Sequence, residues 1–249
     1  MCGIVGAAAT STPVLEGLVE GLRTLEYRGY DSCGVAVADG TSVRIRRKVG
    51  RLSRLEEALA DGALAGATVG VGHTRWATHG KPSDENAHPH TDGSGKLALV
   101  HNGIIENYLE LRRELAAEGH VFHSETDTEV LVHLVGREIQ RGARLAEAVR
   151  RALRQVQGYY ALAALHTGAR PELVCARQGP PLVVASTPEA SWLASDVLAI
   201  LPYTREVMYL EDGDVAELEP GLVRLTDLDG ARVERPVRHI DWDAEAASK

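Results

Sequence analysis

The chain has 249 residues, 44% hydrophobic and 25% charged, with 25 Gly and 10 Pro; this composition excludes disorder and collagen-like repeats and suits one large globular domain. Acidic residues outnumber basic ones 35 to 27, giving a net charge of −8, and only 3 Trp, 7 Tyr and 1 Phe are present, so no phosphate backbone, anionic lipid surface or base-stacking platform is expected. No apolar run approaches the roughly 18 residues of a membrane span, and MCGIVGAAATSTP lacks a basic leader, so the expectation is a cytoplasmic protein that binds neither membrane nor nucleic acid.

In chain order, Cys2 to Ala9 reads as a strand of small residues, and Val14 to Tyr27 as a helix with Leu15, Leu18, Val19, Leu22 and Leu25 on one face. Cys33 to Ala38 and Ser42 to Arg47 predict a hairpin across Asp39-Gly40, a dipeptide that tolerates positive φ. Leu52, Leu55 and Leu59 mark a helix; Thr68 to Thr74 and Lys96 to His101 are predicted strands. Between those strands lies a polar stretch of about twenty residues, Arg75 to Gly95, long enough to suggest a binding loop. Past Asn102-Gly103, helices are predicted at Ile104 to Glu118, Thr128 to Arg141 and Leu145 to Val156, then strands at Tyr159 to His166, Glu172 to Ala176 and Leu182 to Ala185. Glu206 to Leu210, Asp214 to Leu218 and Leu222 to Leu225 read as a closing meander, and Asp241 to Lys249 as a polar tail. Two mainly antiparallel sheets packed together with helix pairs outside, an α/β sandwich, use all these pieces.

Three cysteines, Cys2, Cys33 and Cys175, form neither a disulfide framework nor a paired zinc knuckle, so reduced thiols are expected. Only Met1 precedes Cys2. Its removal would leave a thiol and a free α-amine on one residue, a nucleophile with its own base. Their ordinary pKa values, about 8.5 and about 7.7–8.0, let a proton pass between them near neutral pH. The alternative is a small buried hydrophobe in an edge strand, although Gly3 would let a substrate come close.

In His73-Thr-Arg-Trp-Ala-Thr-His-Gly80, Arg75 offers a planar fork for a carboxylate, while Thr78 and the His79-Gly80 turn offer a hydroxyl and backbone amides. A structural ion pair is the other use of such an arginine. His73, His79, His88 and His90 crowd the same loop, but no His-x-x-x-His helix or Cys-x-x-Cys pair accompanies them, so no metal is expected. The Asn102 amide and the Gly103 N–H are two donors that could meet one developing oxyanion; Asn102 could equally cap the helix predicted at Ile104. Ser124 with Asp127 has the spacing of a capping box, which leaves Asp127 either structural or a receiver of an ammonium group.

Taken together, Cys2-Gly-Ile-Val-Gly6, Glu26-Tyr-Arg-Gly-Tyr-Asp-Ser32, His73-Thr-Arg-Trp-Ala-Thr-His-Gly80, Asn86-Ala-His-Pro-His90, His101-Asn-Gly-Ile-Ile-Glu-Asn107 and Ser124-Glu-Thr-Asp-Thr-Glu129 resemble the glutaminase domain of the glutamine–fructose-6-phosphate transaminases (isomerising), or glucosamine-6-phosphate synthases, within the class II glutamine amidotransferases. The resemblance covers nearly the whole chain and implies a four-layer αββα sandwich of the N-terminal-nucleophile hydrolase type. It implies Cys2 as nucleophile toward L-glutamine, Asn102 and Gly103 as oxyanion donors, Arg75 for the α-carboxylate and Asp127 for the α-ammonium. Thr78, His79 and Trp76 become further substrate contacts and Arg28 a supporting residue. No cofactor and no metal are implied. Cys33 departs from the family's usual small non-thiol residue.

By the same resemblance, residues 2–240 form the glutaminase domain and 241–249 begin a linker to sugar-isomerase domains, which the sequence does not contain. The full-length enzyme would be a homo-oligomer using the released ammonia for hexosamine formation. Other readings stay open at this stage: the glutaminase domain of another class II amidotransferase, a different N-terminal-nucleophile hydrolase with an apolar acyl pocket, or a non-catalytic glutamine-sensing module.

Overall fold

The computed structural model describes residues 2–77, 80–168 and 170–241. Its elements, in chain order, are β1 (Gly3–Ala9), α1 (Leu15–Thr24), β2 (Ser32–Ala38), β3 (Val43–Val49), α2 (Leu52–Leu59), β4 (Val69–Arg75), β5 (His90–Thr91), β6 (Leu97–Ile105), α3 (Tyr108–Ala117), α4 (Thr128–Gln140) and α5 (Leu145–Leu153). They continue with β7 (Gly158–His166), β8 (Glu172–Gln178), β9 (Val183–Ser186), β10 (Ala190–Ala194), β11 (Glu206–Tyr209), β12 (Val215–Glu219), β13 (Leu222–Thr226) and β14 (Val237–His239). One antiparallel sheet runs β14-β11-β9-β10-β1-β4-β2-β3 and the other β13-β12-β8-β7-β6-β5.

Both faces of these sheets are covered, and the residues alternate between two apolar layers. In β1, Ile4 and Ala8 point into the layer between the sheets, whose other side comes from Ala98, Val100, Ala161 and Ala163. Val5, Ala7 and Ala9 point the other way, toward Leu18 and Leu22 of α1. The second sheet is covered by α3, α4 and α5, and Leu131 and Leu134 of α4 are fully buried there. Burying each such leucine is worth about 1.5–3 kcal/mol, which outweighs the modest helix propensity of a segment with three valines and a glycine. Helices outside and two sheets inside give the αββα order expected from the sequence.

Four expectations need correcting. Strand β6 does not stop at His101 but continues to Ile105, because Asn102, Gly103, Ile104 and Ile105 pair with Ala161 through Gly158 of β7. Accordingly α3 begins at Tyr108 rather than Ile104, and Ile104 and Ile105 alternate as strand residues do, the first exposed and the second fully buried. The closing meander is split: β11 pairs with β9 and β14 in the first sheet, while β12 and β13 belong to the second. Strands β10 and β14 were not expected from periodicity, yet β10 is the neighbour of β1, with Val5 opposite Ala194. The Arg75 to Gly95 stretch is not free of structure, since it contains β5 and is tied down by Arg47, which donates to the Ala87 and Pro89 carbonyls at 3.2 and 3.0 Å.

Candidate active site

Strands β1 and β4 pair with Gly3 opposite Thr74, so the end of β1 brings Cys2 to the point where the chain leaves Arg75 for the loop. There the Trp76 N–H donates to Cys2 Sγ at 3.2 Å. The Cys2 carbonyl accepts from Asn102 Nδ2 at 2.9 Å and from Arg28 Nε at 3.3 Å. Burial pushes the Cys2 thiol above its ordinary pKa, opposed by the Trp76 N–H and by the positive charges of Arg75 and Arg28. The thiol is therefore protonated near neutral pH, and an attack by sulfur requires a base at hand.

Asn102 stands near the end of β6, where its orientation is dictated from behind. Its Oδ1 lies 2.9 Å from His73 Nε2, which is also 3.2 Å from the His101 carbonyl. Both neighbours are acceptors, so Nε2 carries the proton and the amide must turn Nδ2 toward Cys2. Burial drives the His73 pKa down to about 3, so this ring is a neutral donor. The next residue, Gly103, has φ +138°, and a Cβ there would stand 1.9 Å from the Tyr159 carbonyl oxygen. Only glycine fits.

Arg75 and Asp127 are both buried, each 4% exposed. Arg75 Nη2 donates to the Gly80 carbonyl at 3.2 Å. Burial lowers the pKa of its guanidinium, against the raising effects of Cys2, Asp127 and Asp31. Asp127 Oδ2 accepts from the Ile105 N–H at 2.8 Å, which fastens the start of α4 to the end of β6. The expected capping box between Ser124 and Asp127 is not formed. Glu129 instead ties down the segment before the helix, accepting from the His123 N–H, the Ser124 N–H and the Ser124 hydroxyl, each at 2.7 Å. The helix-capping alternative for Asn102 likewise fails, because Asn107 occupies the N-cap of α3.

One cavity of about 560 Å³ is lined by Cys2, Arg28, Arg75, Trp76, Asn102, Gly103 and Asp127, so these seven residues from distant parts of the chain share one space. Thr78 and His79 lie outside the described residues. Trp76 stands at the rim, 46% exposed, edge-on to Tyr30 with ring centroids 5.6 Å apart. The same cavity has a polar back wall of His88, His101, Thr126 and Thr128 and an apolar lip of Ile104, Tyr159, Pro180 and Pro181, none of which periodicity or spacing indicates. Gly-Pro-Pro at 179–181 could have been flagged only as a turn.

The loop histidines form a column rather than a ligand set. His73 stacks on His88 with centroids 4.2 Å apart, and His88 meets His90 edge-on at 4.8 Å. Their nitrogens are engaged separately: His88 Nδ1 accepts from the His101 N–H, and His90 Nε2 bonds the Thr126 hydroxyl. Among the described residues no group of three or more His, Cys, Asp or Glu is arranged to hold a metal. Cys33 is buried in the outer layer with its thiol pushed up to about 12, and it takes no part in the cavity.

The arrangement sets a thiol, the Asn102 amide, the Gly103 backbone, a buried cation and a buried anion around one cavity. A molecule carrying a carboxylate, an ammonium and a carbonyl a few bonds away matches that set. A family model described as a glutamine amidotransferase domain matches residues 73–202, a span that takes in Arg75, Asn102, Gly103 and Asp127. Over 249 residues the chain is 52% identical to the glutamine–fructose-6-phosphate aminotransferase (isomerizing) of Thermus thermophilus and 47% identical to that of Methanothermobacter thermautotrophicus, covering 100% of this chain in both. It spans only 40% and 42% of those two proteins. Among solved structures, glutamine phosphoribosylpyrophosphate amidotransferase from B. subtilis superimposes over 91% of this chain and 49% of that one, with a TM-score of 0.74 at 24% identity, a likeness of fold.

Proposed function

The chain belongs to the glutamine amidotransferase family, and from that premise we propose that it hydrolyses the side-chain amide of L-glutamine to glutamate and ammonia with Cys2 as nucleophile. Removal of Met1 frees the Cys2 α-amine, which takes the thiol proton as Sγ attacks the amide carbon. A C–S bond forms and the carbonyl oxygen becomes an oxyanion held by Asn102 and Gly103. The Asn102 amide has two N–H groups, so it can keep the Cys2 carbonyl and still meet the oxyanion. The C–N bond then breaks, the α-amine gives its proton to the departing ammonia, and a glutamyl thioester remains. Water attacks the thioester, the C–S bond breaks, and glutamate leaves with the thiol restored.

Arg75 receives the α-carboxylate and Asp127 the α-ammonium, which fixes the distance from the head group to the amide carbon. Trp76 at the rim closes one side of the substrate space, and Thr78 and His79 are further substrate contacts in this proposal. Arg28 supports the nucleophile at its carbonyl. The observation that carries this reading is the single cavity shared by Cys2, Asn102, Gly103, Arg75 and Asp127. The test is glutamate release from glutamine by the protein and by its Cys2→Ala variant. Turnover that vanishes in the variant while the fold survives supports the reading, and turnover that persists sinks it.

Because the relatives are more than twice as long as this chain, the larger activity is a further step of the same proposal. Residues 2–240 would act as the glutaminase domain and 241–249 as the start of a linker to sugar-isomerase domains. There the ammonia would convert fructose 6-phosphate to glucosamine 6-phosphate in a cytoplasmic, homo-oligomeric enzyme. Consistent with this, no described helix is long and apolar enough to cross a membrane. On this view the 249-residue chain releases glutamate but makes no glucosamine 6-phosphate from glutamine and fructose 6-phosphate.

A further inference from the structure

Strand β10 lies beside β1, and the two residues that follow it continue to hold the N-terminal segment after the ladder has ended. The Ser195 N–H donates to the Ile4 carbonyl, and the Ile4 N–H donates to Ser195 Oγ, both at 2.9 Å. The next residue, Asp196, holds the segment at one remove. Its Oδ1 accepts from the Leu198 N–H at 3.1 Å, which fixes the plane of the carboxylate. Its Oδ2 accepts from Arg28 Nη1 at 3.0 Å and from the Tyr27 hydroxyl at 2.8 Å. Arg28 in turn presents Nε to the Cys2 carbonyl.

We propose that Asp196 is a positioning residue for the nucleophile: through Arg28 it sets the rotation of the Cys2 peptide, and with it the line along which Sγ meets the substrate. The proposal rests on the glutaminase reading of Cys2. Asp196 does not line the cavity, so it reaches the chemistry only through Arg28. The Cys2 carbonyl has two donors, Asn102 Nδ2 from β6 and Arg28 Nε from the turn after α1. One donor alone leaves the peptide free to swing about that bond; two donors from different elements hold it in one setting. The Arg28 side chain is 7% exposed and that of Asp196 23%, so the pair is shielded enough for its geometry to persist. A buried ion pair can also be purely structural, and what separates the two roles is where the loss appears. The head-group contacts at Arg75 and Asp127 do not run through Asp196, so its removal should lower kcat and leave KM in place.

The experiment compares the parent, Asp196→Asn, Arg28→Ala and the double variant in glutamine hydrolysis and in iodoacetamide alkylation of Cys2. The Asn variant keeps the volume and removes the charge. Expected for Asp196→Asn is a kcat lower by about tenfold or more with KM within about twofold, and slower alkylation of Cys2. Expected for the double variant is no loss beyond that of Arg28→Ala, because the two residues act in series. A kcat and alkylation rate within about twofold of the parent, or losses that multiply in the double variant, overturn the proposal. Should Asp196→Asn not fold, Tyr27→Phe decides, since that ring is exposed and its hydroxyl donates to Asp196 and meets Arg28, so its loss loosens the same Asp196–Arg28 arrangement: a kcat lower by about threefold supports the proposal and an unchanged kcat overturns it. If the parent releases no glutamate, the glutaminase reading itself has failed, while the alkylation rates still report whether Asp196 positions Cys2.

Discussion

His73 Nε2 and Asn102 Oδ1 stand 2.9 Å apart in the interior, and that bond decides which end of the Asn102 amide faces Cys2. A strand end alone would leave the amide free to turn either way. With Oδ1 occupied by a neutral ring donor, Nδ2 is delivered to the cavity before any substrate arrives, so no reorganisation is needed at the moment of reaction.

If Asn102 holds the oxyanion as proposed, Asn102→Ala is expected to lower kcat by about 10²–10³ with a much smaller change in KM. Asn102→Asp should be at least as damaging, because it turns an acceptor toward the Cys2 carbonyl. Steady-state glutamate release measures both, and a loss under tenfold in the alanine variant would contradict the oxyanion role.

The nucleophile makes a prediction about the N-terminus and another about pH. Intact mass of active protein should be short by one methionine, with Cys2 first. Alkylation of the Cys2 thiol should be slow near neutral pH and accelerate toward alkaline pH, with a midpoint above the ordinary thiol value of about 8.5, because burial raises its pKa. Cys33 and Cys175 do not compete, both being buried with thiols pushed higher still. Fast alkylation of Cys2 at about pH 6 would mean a pre-formed thiolate and would remove the need for the α-amine as base.

A clamp with one cation and one anion also sets a length. Asparagine carries the same head group but places its amide carbon one methylene short of Cys2, so its kcat/KM should fall far below that of glutamine. Arg75→Lys keeps the charge and loses the fork, and should raise KM for glutamine by about tenfold or more. Equal turnover of the two amides, or an unchanged KM in the lysine variant, would show that Arg75 does not read the carboxylate.

Much of this was legible in the chain because the signals are local. The run of small residues in β1, the Asp39-Gly40 turn and the leucine spacing of α1 and α2 each reveal an element without reference to any partner. Asn102-Gly103 does line the cavity, but in a strand rather than before the helix expected at Ile104. The apolar pair Ile104-Ile105 fits a helix as well as a strand, and only the ladder to β7 decides between them. What stayed hidden depends on distant contacts. Strand β10 is only five residues long, Ala-Ser-Trp-Leu-Ala, too short for a period to show, and its identity comes from pairing with β1. His73 and Asp196 owe their parts to neighbours 29 and 168 positions away, and no spacing rule connects them. Ser124 is held not by Asp127 but by Glu129, five residues on, whose longer side chain reaches back to the His123 and Ser124 N–H groups at once.

The histidine column behind the cavity should make the fold sensitive to acid. His73, His88, His90 and His101 are all held below the ordinary histidine pKa, chiefly by burial, with His73 and His90 brought down to about 3. Arg75 and Arg47 add to the depression at His90, and the carboxylates Glu129 and Asp127 oppose it at His90 and His101. Each ring is neutral in the fold and takes up a proton near pH 6.5 once unfolded. The unfolded chain thus binds more protons between about 6.5 and about 3, and stability falls as pH falls across that window. By pH 5 the cost is about 2 kcal/mol for each of His73 and His90, whose pKa values are brought down to about 3, together a large share of a typical domain's stability. Urea midpoints should therefore be flat from about pH 8 to 7 and drop steeply below 6.5, and His90→Gln should flatten that slope. Because Thr126 can still bond a glutamine, the variant tests the titration rather than the contact. A midpoint that holds steady from pH 7 to 5 would mean the column is protonated in the fold, which its stacked rings at 4.2 Å do not favour.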